Sequence, residues 1–133
     1  MLANSKLIVF AAITDAGRAR DFYCGLLGLP AREESEFALV LDANGVELRL
    51  QKVDRVVVPP YTSLGWQVDS VTKIVRELAA KGVVTVRYGF LQQDEDGIWQ
   101  SPSGARIAWF RDPDGNVLSL TEIAGDPGET DKA

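Results

Sequence analysis

Side chains able to hold a ligand occur at alternate positions in two segments of the chain. Glu47, Arg49 and Gln51 alternate with leucines, and Trp109 and Ser119 lie on either side of a turn. An arginine in apolar surroundings can bind a carboxylate or a phosphate through two parallel hydrogen bonds. An indole ring can stack on a flat molecule. These residue types indicate noncovalent contacts with an aromatic or amphipathic molecule that carries an anionic group.

The segment Asp112-Pro113-Asp114-Gly115 sets the positions of Trp109 and Ser119. Its order of residue types predicts a type I turn with a left-handed glycine, which joins two strands as a hairpin with a bulge. Asp112 then lies opposite Asn116, and Trp109 opposite Ser119. Because strand residues alternate between two faces, one face is mixed (Trp109, Arg111, Val117, Ser119, Thr121) and the other apolar (Ala108, Phe110, Leu118, Leu120). We expect the apolar face to pack under a helix and the mixed face to be able to hold a ligand.

The same spacing occurs twice in the chain. The segment that begins at Asp42 repeats the one that begins at Asp112, 70 residues later. A repeat at a fixed offset indicates that one supersecondary unit is used twice. The polar side chains of the first segment (Glu47, Arg49, Gln51) are then the counterparts of a set in the second (Val117, Ser119, Thr121). We predict one domain of two modules, at about residues 5–56 and 61–123, followed by a polar tail at 124–133.

Hydrophobic periodicity gives each module the order strand, helix, strand, strand, strand. The first module has a strand at 6–14, apolar on both faces and therefore central or well covered. It is followed by a helix at about 18–29, capped by Thr14 or Asp15, and then by strands near 33–35, 37–41 and 46–53. The second has a strand at 63–68, a helix at about 71–81 capped by Asp69 or Ser70, and strands at 83–90 and 105–111 before the last hairpin. This order predicts an α+β fold in which two sheets, with helices outside, enclose a cleft.

The composition is that of a single soluble domain. The 133 residues are 46% hydrophobic and 25% charged, with a net charge of −5. A negative chain lacks the electrostatic footprint of a nucleic-acid-binding protein, and the longest apolar run, residues 7–13, is too short to span a bilayer. A single cysteine excludes an internal disulfide and fits a reducing compartment. We therefore expect a cytoplasmic protein that binds neither nucleic acid nor membrane.

The chain contains no histidine, which is the commonest metal ligand and the commonest general base. The acid–base candidates near the proposed cleft are Glu47, Asp94 and Glu122. Glu47 is two residues from Arg49, and an ion pair between them is the alternative to a role in binding or catalysis for either residue. Any catalytic role is therefore only weakly indicated, for Glu47 and Asp94.

Two further regions are candidates for contact with a ligand. Trp99 could stack on a flat molecule together with Trp109, or both rings could simply fill the core. Gln93 lies with Gln92 and Asp94 in a polar loop bounded by glycines. This loop could form a rim over the cleft or be a solvated hairpin tip.

Three segments of the chain carry a family resemblance: Asp15 with Arg18-Ala19-Arg20-Asp21-Phe22-Tyr23 and Leu27-Gly28-Leu29, then Trp66-Gln67-Val68-Asp69, then residues 109–116. In this order they resemble the vicinal oxygen chelate superfamily. That superfamily includes glyoxalase I, bleomycin-resistance proteins, fosfomycin-resistance enzymes and extradiol dioxygenases. The resemblance covers about residues 5–123. It implies two βαβββ modules in tandem, forming one glyoxalase/bleomycin-resistance-like domain with a cleft lined by the sheets, often in a homodimer.

The resemblance also implies where metal-dependent members hold their ion, on the first and last strand of each module. The matching positions here are Ile8, Arg49, Ser63 and Ser119. An alkyl group offers no donor atom, a guanidinium repels a cation, and a neutral hydroxyl is a weak ligand. We therefore predict no metal and no cofactor. Glyoxalase, dioxygenase and thiol-transferase mechanisms, which depend on the ion, are correspondingly disfavoured.

The leading hypothesis is a metal-free small-molecule-binding protein, in the manner of the bleomycin-resistance proteins. Its ligand contacts are predicted at seven residues (Arg49, Gln51, Ser63, Gln93, Trp99, Trp109, Ser119). Two alternatives stay open. One is a glyoxalase- or dioxygenase-like enzyme, either a lyase, an isomerase or an oxidoreductase, with a non-standard site. The other is a protein-interaction module.

Overall fold

The computed structural model describes residues 1–124, so almost all of the predicted tail lies outside the described residues. The described part divides into two compact units. One comprises residues 1–58 with 112–116, and the other residues 59–111 with 117–124. None of the helices within residues 1–124 has both the length and the apolar character that a membrane span needs.

The first unit contains one four-stranded sheet and a short helix. Its elements are β1 (Ile8–Ile13), α1 (Ala16–Ala19), β2 (Ala31–Glu34), β3 (Ala38–Ala43) and β4 (Val46–Lys52). α1 continues into a π-helical segment, Arg20–Leu26. The strand order is β1-β4-β3-β2, with β1 parallel to β4 and the other pairs antiparallel. β4, which carries Arg49, therefore lies inside the sheet between β1 and β3.

The second unit repeats this arrangement. Its elements are β5 (Thr62–Gln67), α2 (Val71–Ala80), β6 (Trp99–Gln100), β7 (Arg106–Arg111) and β8 (Val117–Glu122). The strand order is β5-β8-β7-β6, and β5 is parallel to β8. β8, which carries Ser119, lies between β5 and β7. Both units have the order βαβββ, so the predicted α+β fold of two tandem modules is confirmed.

Side-chain caps fix the start of each helix. Asp15 Oδ1 accepts a hydrogen bond from the Arg18 amide at 3.1 Å, and Ser70 Oγ accepts one from the Lys73 amide at 3.2 Å. Asp15 and Ser70 are thus the caps, of the two alternatives that the sequence offers at each helix. At the end of α2, Gly82 has a φ of 87°, the left-handed conformation that terminates helices.

The apolar face of the second sheet packs under α2, as predicted. Its residues are buried (Ala108, Phe110, Leu118, Leu120), as are those of the helix that face the core (Val71, Val75, Leu78). On the opposite face Trp109, Ser119 and Thr121 are only half-buried. The second sheet therefore has one face for the core and one of mixed character that stays partly exposed.

Two predictions about strands are wrong. Residues 83–90 do not form a strand. The Gln93 side-chain amide instead bonds to the Val86 carbonyl at 2.9 Å and the Tyr88 amide at 2.8 Å, backbone groups that a partner strand would otherwise satisfy. β1 is not central either, because it is the outermost strand of its sheet. Its residues Ile8 and Phe10 are 46% and 57% exposed, so this apolar strand contributes an exposed face as well as core.

Candidate functional site

Arg49 lies in β4 between two apolar neighbours, Phe10 of β1 and Val40 of β3. Phe10 is exposed and Val40 is buried. Ile8 and Gln51 share this face, because residues two positions apart along a strand point the same way. The first sheet thus places a guanidinium group next to exposed apolar side chains.

Arg49 forms an ion pair with Glu47 of the same strand. Its Nη2 and Nε donate hydrogen bonds to Glu47 Oε2 at 3.1 and 3.3 Å. The Arg49 and Glu47 side chains remain 35% and 28% exposed. This is the pairing that the sequence left open as the alternative to ligand binding. A partly exposed pair of this kind is worth only about 0–1 kcal/mol, so an incoming carboxylate has little to displace.

In the second unit, Trp109, Ser119 and Gly65 form a row across β7, β8 and β5. Trp109 and Ser119 are half-buried, and Gly65 is exposed. Ser63, two residues before Gly65 in β5, is half-buried and lies at an irregularity in the pairing with β8, between Thr62 and Leu64. The predicted pairing of Trp109 with Ser119 is confirmed. An indole ring and a hydroxyl group therefore lie side by side on this face of the second sheet.

Aromatic rings surround Trp109. The ring of Trp99 lies 6.3 Å from it at an interplanar angle of 32°, and the ring of Tyr88 lies 5.3 Å from it edge to face. Phe90 extends the cluster, 5.6 Å from Tyr88. Sequence reasoning missed Tyr88 because it assigned residues 83–90 to a strand. The alternation of Tyr88 and Phe90 was the one signal in that segment.

The polar loop after residue 90 borders a cavity of about 400 Å³ within the second unit. The cavity is lined by Gln92, Gln93, Asp94, Ile98, Trp99, Gln100 and Arg106. Gln93 also donates a hydrogen bond to the Gly97 carbonyl at 2.7 Å, so its amide holds the loop together. Asp94 Oδ1 accepts from the amides of Asp96 and Ile98, both at 2.9 Å. Three residues that the sequence singled out, Gln93, Asp94 and Trp99, therefore line the same cavity. The hydrogen bonds of Gln93 and Asp94 mainly hold the conformation of the loop.

Arg106 is a cavity residue that sequence reasoning did not single out. Its guanidinium nitrogens lie 3.9 Å from Asp94 Oδ2 and 3.7 Å from Glu122 Oε1, beyond hydrogen-bond distance. Glu122 Oε1 meanwhile accepts a hydrogen bond from the Val71 amide at the start of α2, at 3.0 Å. Nothing in the local sequence distinguishes Arg106 from a solvated strand residue, because its partners come from other elements.

The residues at the four positions implied for a metal do not fit one. Ile8 and Arg49 share a face of the first sheet, and Ser63 and Ser119 lie on neighbouring strands of the second. Alkyl and guanidinium groups supply no lone pair to a cation, and serine hydroxyls are poor ligands without carboxylate or imidazole partners. Within residues 1–124, no group of three or more His, Cys, Asp or Glu side chains is placed to hold an ion.

Tyr23 is the most strongly perturbed titratable group of the first unit. It is fully buried, and its hydroxyl donates a hydrogen bond to Asp112 Oδ2 at 2.6 Å. Burial raises the pKa of Tyr23 well above its usual range, and the nearby Asp112 carboxylate raises it further. A phenol held neutral in this way is a structural donor. Tyr23 is therefore a residue of the core.

The order βαβββ, used twice, and one partly exposed mixed face on each sheet define a protein of the vicinal oxygen chelate fold. A model of the Glyoxalase/Bleomycin resistance protein/Dioxygenase superfamily matches residues 8–120. The chain belongs to this superfamily.

Several solved structures share the fold. The genomically encoded fosfomycin resistance protein FosX from Listeria monocytogenes has a TM-score of 0.71 at 15% identity, over 95% of this chain and 97% of that one. A putative glyoxalase family protein from Bacillus anthracis has a TM-score of 0.70 at 15% identity, over 91% and 96%. A glyoxalase/bleomycin resistance protein/dioxygenase from Alicyclobacillus acidocaldarius has 0.69 at 19%, over 92% and 94%. At these identities the likeness shows the fold alone. A comparison with curated proteins finds no significant match.

Proposed function

We propose that the protein binds a small aromatic or amphipathic molecule without a bound metal ion. The observation that carries this proposal is the row on the second sheet. The indole of Trp109 stands beside the Ser119 hydroxyl on a partly exposed face and is backed by the rings of Tyr88 and Trp99. An aromatic wall beside a single polar group suits a flat ligand with a polar substituent. The donor set at Ile8, Arg49, Ser63 and Ser119 supports the metal-free part of the proposal.

Arg49 is our candidate for contact with an anionic group, on the mixed face of the first sheet. Its support is the exposed apolar neighbour Phe10 and the weakness of the existing bond to Glu47. A carboxylate that approaches Arg49 can gain two charge-assisted hydrogen bonds. Glu47 then either moves aside or shares the guanidinium.

Isothermal titration calorimetry with 2-naphthoate and its neutral counterpart 2-naphthamide tests both parts. Trp109→Ala should weaken binding of both probes, because it removes the stacking surface. Arg49→Ala should weaken binding of the carboxylate about tenfold, as expected for hydrogen bonds to a charged group, and leave the amide unchanged. Arg32→Ala is the matched control, because Arg32 also forms an exposed ion pair in the first unit, with Asp42 at 3.0 Å. Absence of binding to the wild type, or equal effects of Arg49→Ala and Arg32→Ala, would count against the proposal.

The metal-free state is tested by elemental analysis of protein purified without chelators. We expect no more than about 0.1 equivalent of any transition metal. A stoichiometric ion would instead favour the enzymatic alternative, with Glu47 or Asp94 as the candidate base.

We also propose a homodimer, located in the cytoplasm. Large apolar side chains are exposed in both units, among them Leu7, Phe37, Val84 and Phe90, and exposed apolar surface commonly marks an interface. Size-exclusion chromatography with light scattering should give twice the 14.5 kDa mass of one chain. A mass of one chain at micromolar concentration would refute the dimer.

A further inference from the structure

Gly65 has an unusual position in the row on the second sheet. It lies in β5 directly across from Ser119. A Cβ atom built on Gly65 would come within 2.5 Å of Ser119 Oγ, closer than real Cβ contacts allow. The Ser119 hydroxyl therefore lies in the space that any other residue at position 65 would fill.

The backbone does not require glycine at this position. Positive φ angles occur at six other glycines within residues 1–124, and Gly65 is not among them. In an extended strand glycine is normally unfavourable, because it packs no side chain and loses more conformational freedom than other residues. The absence of a side chain at position 65 is therefore best explained by the space above it.

That space has definite dimensions. Neighbouring strands lie about 4.8 Å apart, so the row from Trp109 through Ser119 to Gly65 spans about 10 Å. The indole of Trp109 bounds the space at one end of the row, and the exposed backbone of Gly65 leaves it open at the other. Ser119 Oγ lies between them and makes no side-chain hydrogen bond to any other residue within 1–124. A flat group of about two fused rings would fill this length with a polar substituent at the hydroxyl.

We propose that Gly65 determines the specificity of this site, by admitting a flat two-ring ligand whose polar substituent hydrogen-bonds to Ser119 Oγ. The inference rests on the proposed function and adds to it the shape of the ligand and the residue that selects it. A side chain at position 65 displaces the Ser119 hydroxyl and fills part of the space above the strand. Either change should remove the preference for a polar substituent on a planar ring system.

The test compares 6-hydroxy-2-naphthoate with 2-naphthoate by calorimetry. The wild type should bind the hydroxylated probe about fivefold more tightly, the factor expected for one hydrogen bond. Gly65→Ala should abolish this preference, and so should Ser119→Ala. Gly25→Ala is the matched control, because a Cβ on Gly25 meets nothing within 4 Å and its φ is not positive. It should leave the fivefold preference intact.

A double-mutant cycle separates a direct effect from a general disturbance of the sheet. If Gly65 acts through the hydroxyl, Gly65→Ala should have no further effect on the preference in a Ser119→Ala background. If the wild type binds both probes and Gly65→Ala keeps the preference for the hydroxylated probe, the role of Gly65 is overturned while the proposed function stands. A wild type that binds neither probe would overturn the proposed function and this inference with it. Thermal melts show whether each variant is folded, and Ser119→Ala tests the hydroxyl without altering the backbone of β5.

Discussion

The hairpin turns that begin at Asp42 and at Asp112 share a spacing of residues but differ in length. In the first turn, Asn44 and Gly45 have φ angles of 53° and 90°, the conformation of a two-residue type I′ loop. In the second, Gly115 has a φ of 91° and the Asp112 amide bonds to the Asn116 carbonyl, so three residues intervene. The second loop therefore has one residue more, the glycine bulge.

This extra residue decides which aromatic side chain lies beside Ser119. By the 70-residue offset, Val40 corresponds to Phe110. In the sheets Val40 pairs with Arg49, but Trp109 rather than Phe110 pairs with Ser119. A shift of one residue moves every side chain of a strand to the opposite face. The bulge is thus what places Trp109 on the mixed face and Phe110 in the core.

The aspartates that begin the two turns also have different surroundings. Asp42 Oδ1 accepts hydrogen bonds from the Gly45 amide at 2.9 Å and from Arg32 at 3.0 Å. Asp112 is only 5% exposed. Its Oδ1 accepts from two amides of its own turn at 2.9 Å, and its Oδ2 accepts from the Tyr23 hydroxyl and from Asn116 Nδ2 at 2.9 Å. The second turn is therefore anchored to the helical segment of the first unit through Tyr23.

The largest difference should appear when each aspartate is replaced. Asp112→Ala leaves several buried donors without an acceptor, and we expect a loss of about 3–5 kcal/mol in the free energy of unfolding, at about 1–3 kcal/mol per buried group. Asp42→Ala, the matched change in the exposed turn, should cost about 0.5–1 kcal/mol. Urea denaturation followed by circular dichroism measures both. Equal losses would show that the two turns are equivalent despite their burial.

Tyr23→Phe isolates the link between Asp112 and the helical segment. It removes one buried hydrogen bond to a carboxylate, and we expect a loss of about 1.5–3 kcal/mol near neutral pH. The raised pKa of Tyr23 adds a pH dependence. Unfolded tyrosine loses its proton near pH 10 while the folded phenol keeps its own, so this stabilisation is present below about pH 10 and declines as pH rises further.

The measurement for Tyr23 is the difference in unfolding free energy between wild type and Tyr23→Phe from pH 8 to pH 11.5. The difference should be constant up to about pH 10 and then shrink. Taking a difference removes the titration of lysines, which is common to both proteins. A constant difference across the whole range would mean that the phenol titrates alike in the folded and unfolded chains.

Replacing the glycine by alanine should destabilise the protein to a similar extent in both turns, in contrast to replacing the aspartate. Gly45 and Gly115 both have φ near 90°, and a Cβ on either would meet no atom closer than 3.5 Å. The cost of alanine is therefore conformational, about 1–2 kcal/mol at each site. Melting temperatures of Gly45→Ala and Gly115→Ala should fall by similar amounts. A much larger fall for Gly115→Ala would show that the buried turn resists adjustment.

The sequence predicted those parts of the fold that depend on neighbouring residues. The second hairpin, its register and its two faces follow from Asp112, Gly115 and the alternation on either side. The start of each helix follows from residue type and from the start of an apolar period, which left two neighbouring candidates for each cap, and the structure selects Asp15 and Ser70. The prediction of a strand at residues 83–90 was wrong. Their β-branched composition favours a strand, but the Gln93 side chain hydrogen-bonds to backbone groups of this segment instead.

The candidate site was less accessible to sequence reasoning. Trp109 and Ser119 were placed correctly on one face because only the turn and the alternation are needed. Tyr23 and Asp112 meet across 89 positions, and Arg106 faces two carboxylates from other elements. Such meetings depend on tertiary packing, which no local pattern encodes. The space above Gly65 depends on where Ser119 Oγ lies, which follows from the pairing of β5 with β8.

The smallest expected effect concerns an exposed carboxylate of the first unit, in contrast to the buried Asp112. Glu34 accepts hydrogen bonds from Lys52 and Arg20, both at 2.9 Å, and these lower its pKa. A lowered pKa stabilises the fold above the unfolded value of about 4.3, and the contribution is lost as pH falls below it. The melting temperature of Glu34→Gln should therefore lie slightly below that of the wild type at pH 7 and approach it towards pH 3. Glu33→Gln, in the same exposed strand, is the control. A gap at Glu34 that widens in acid would reverse the assigned sign, and a gap as large as that of Asp112→Ala would remove the contrast between exposed and buried carboxylates.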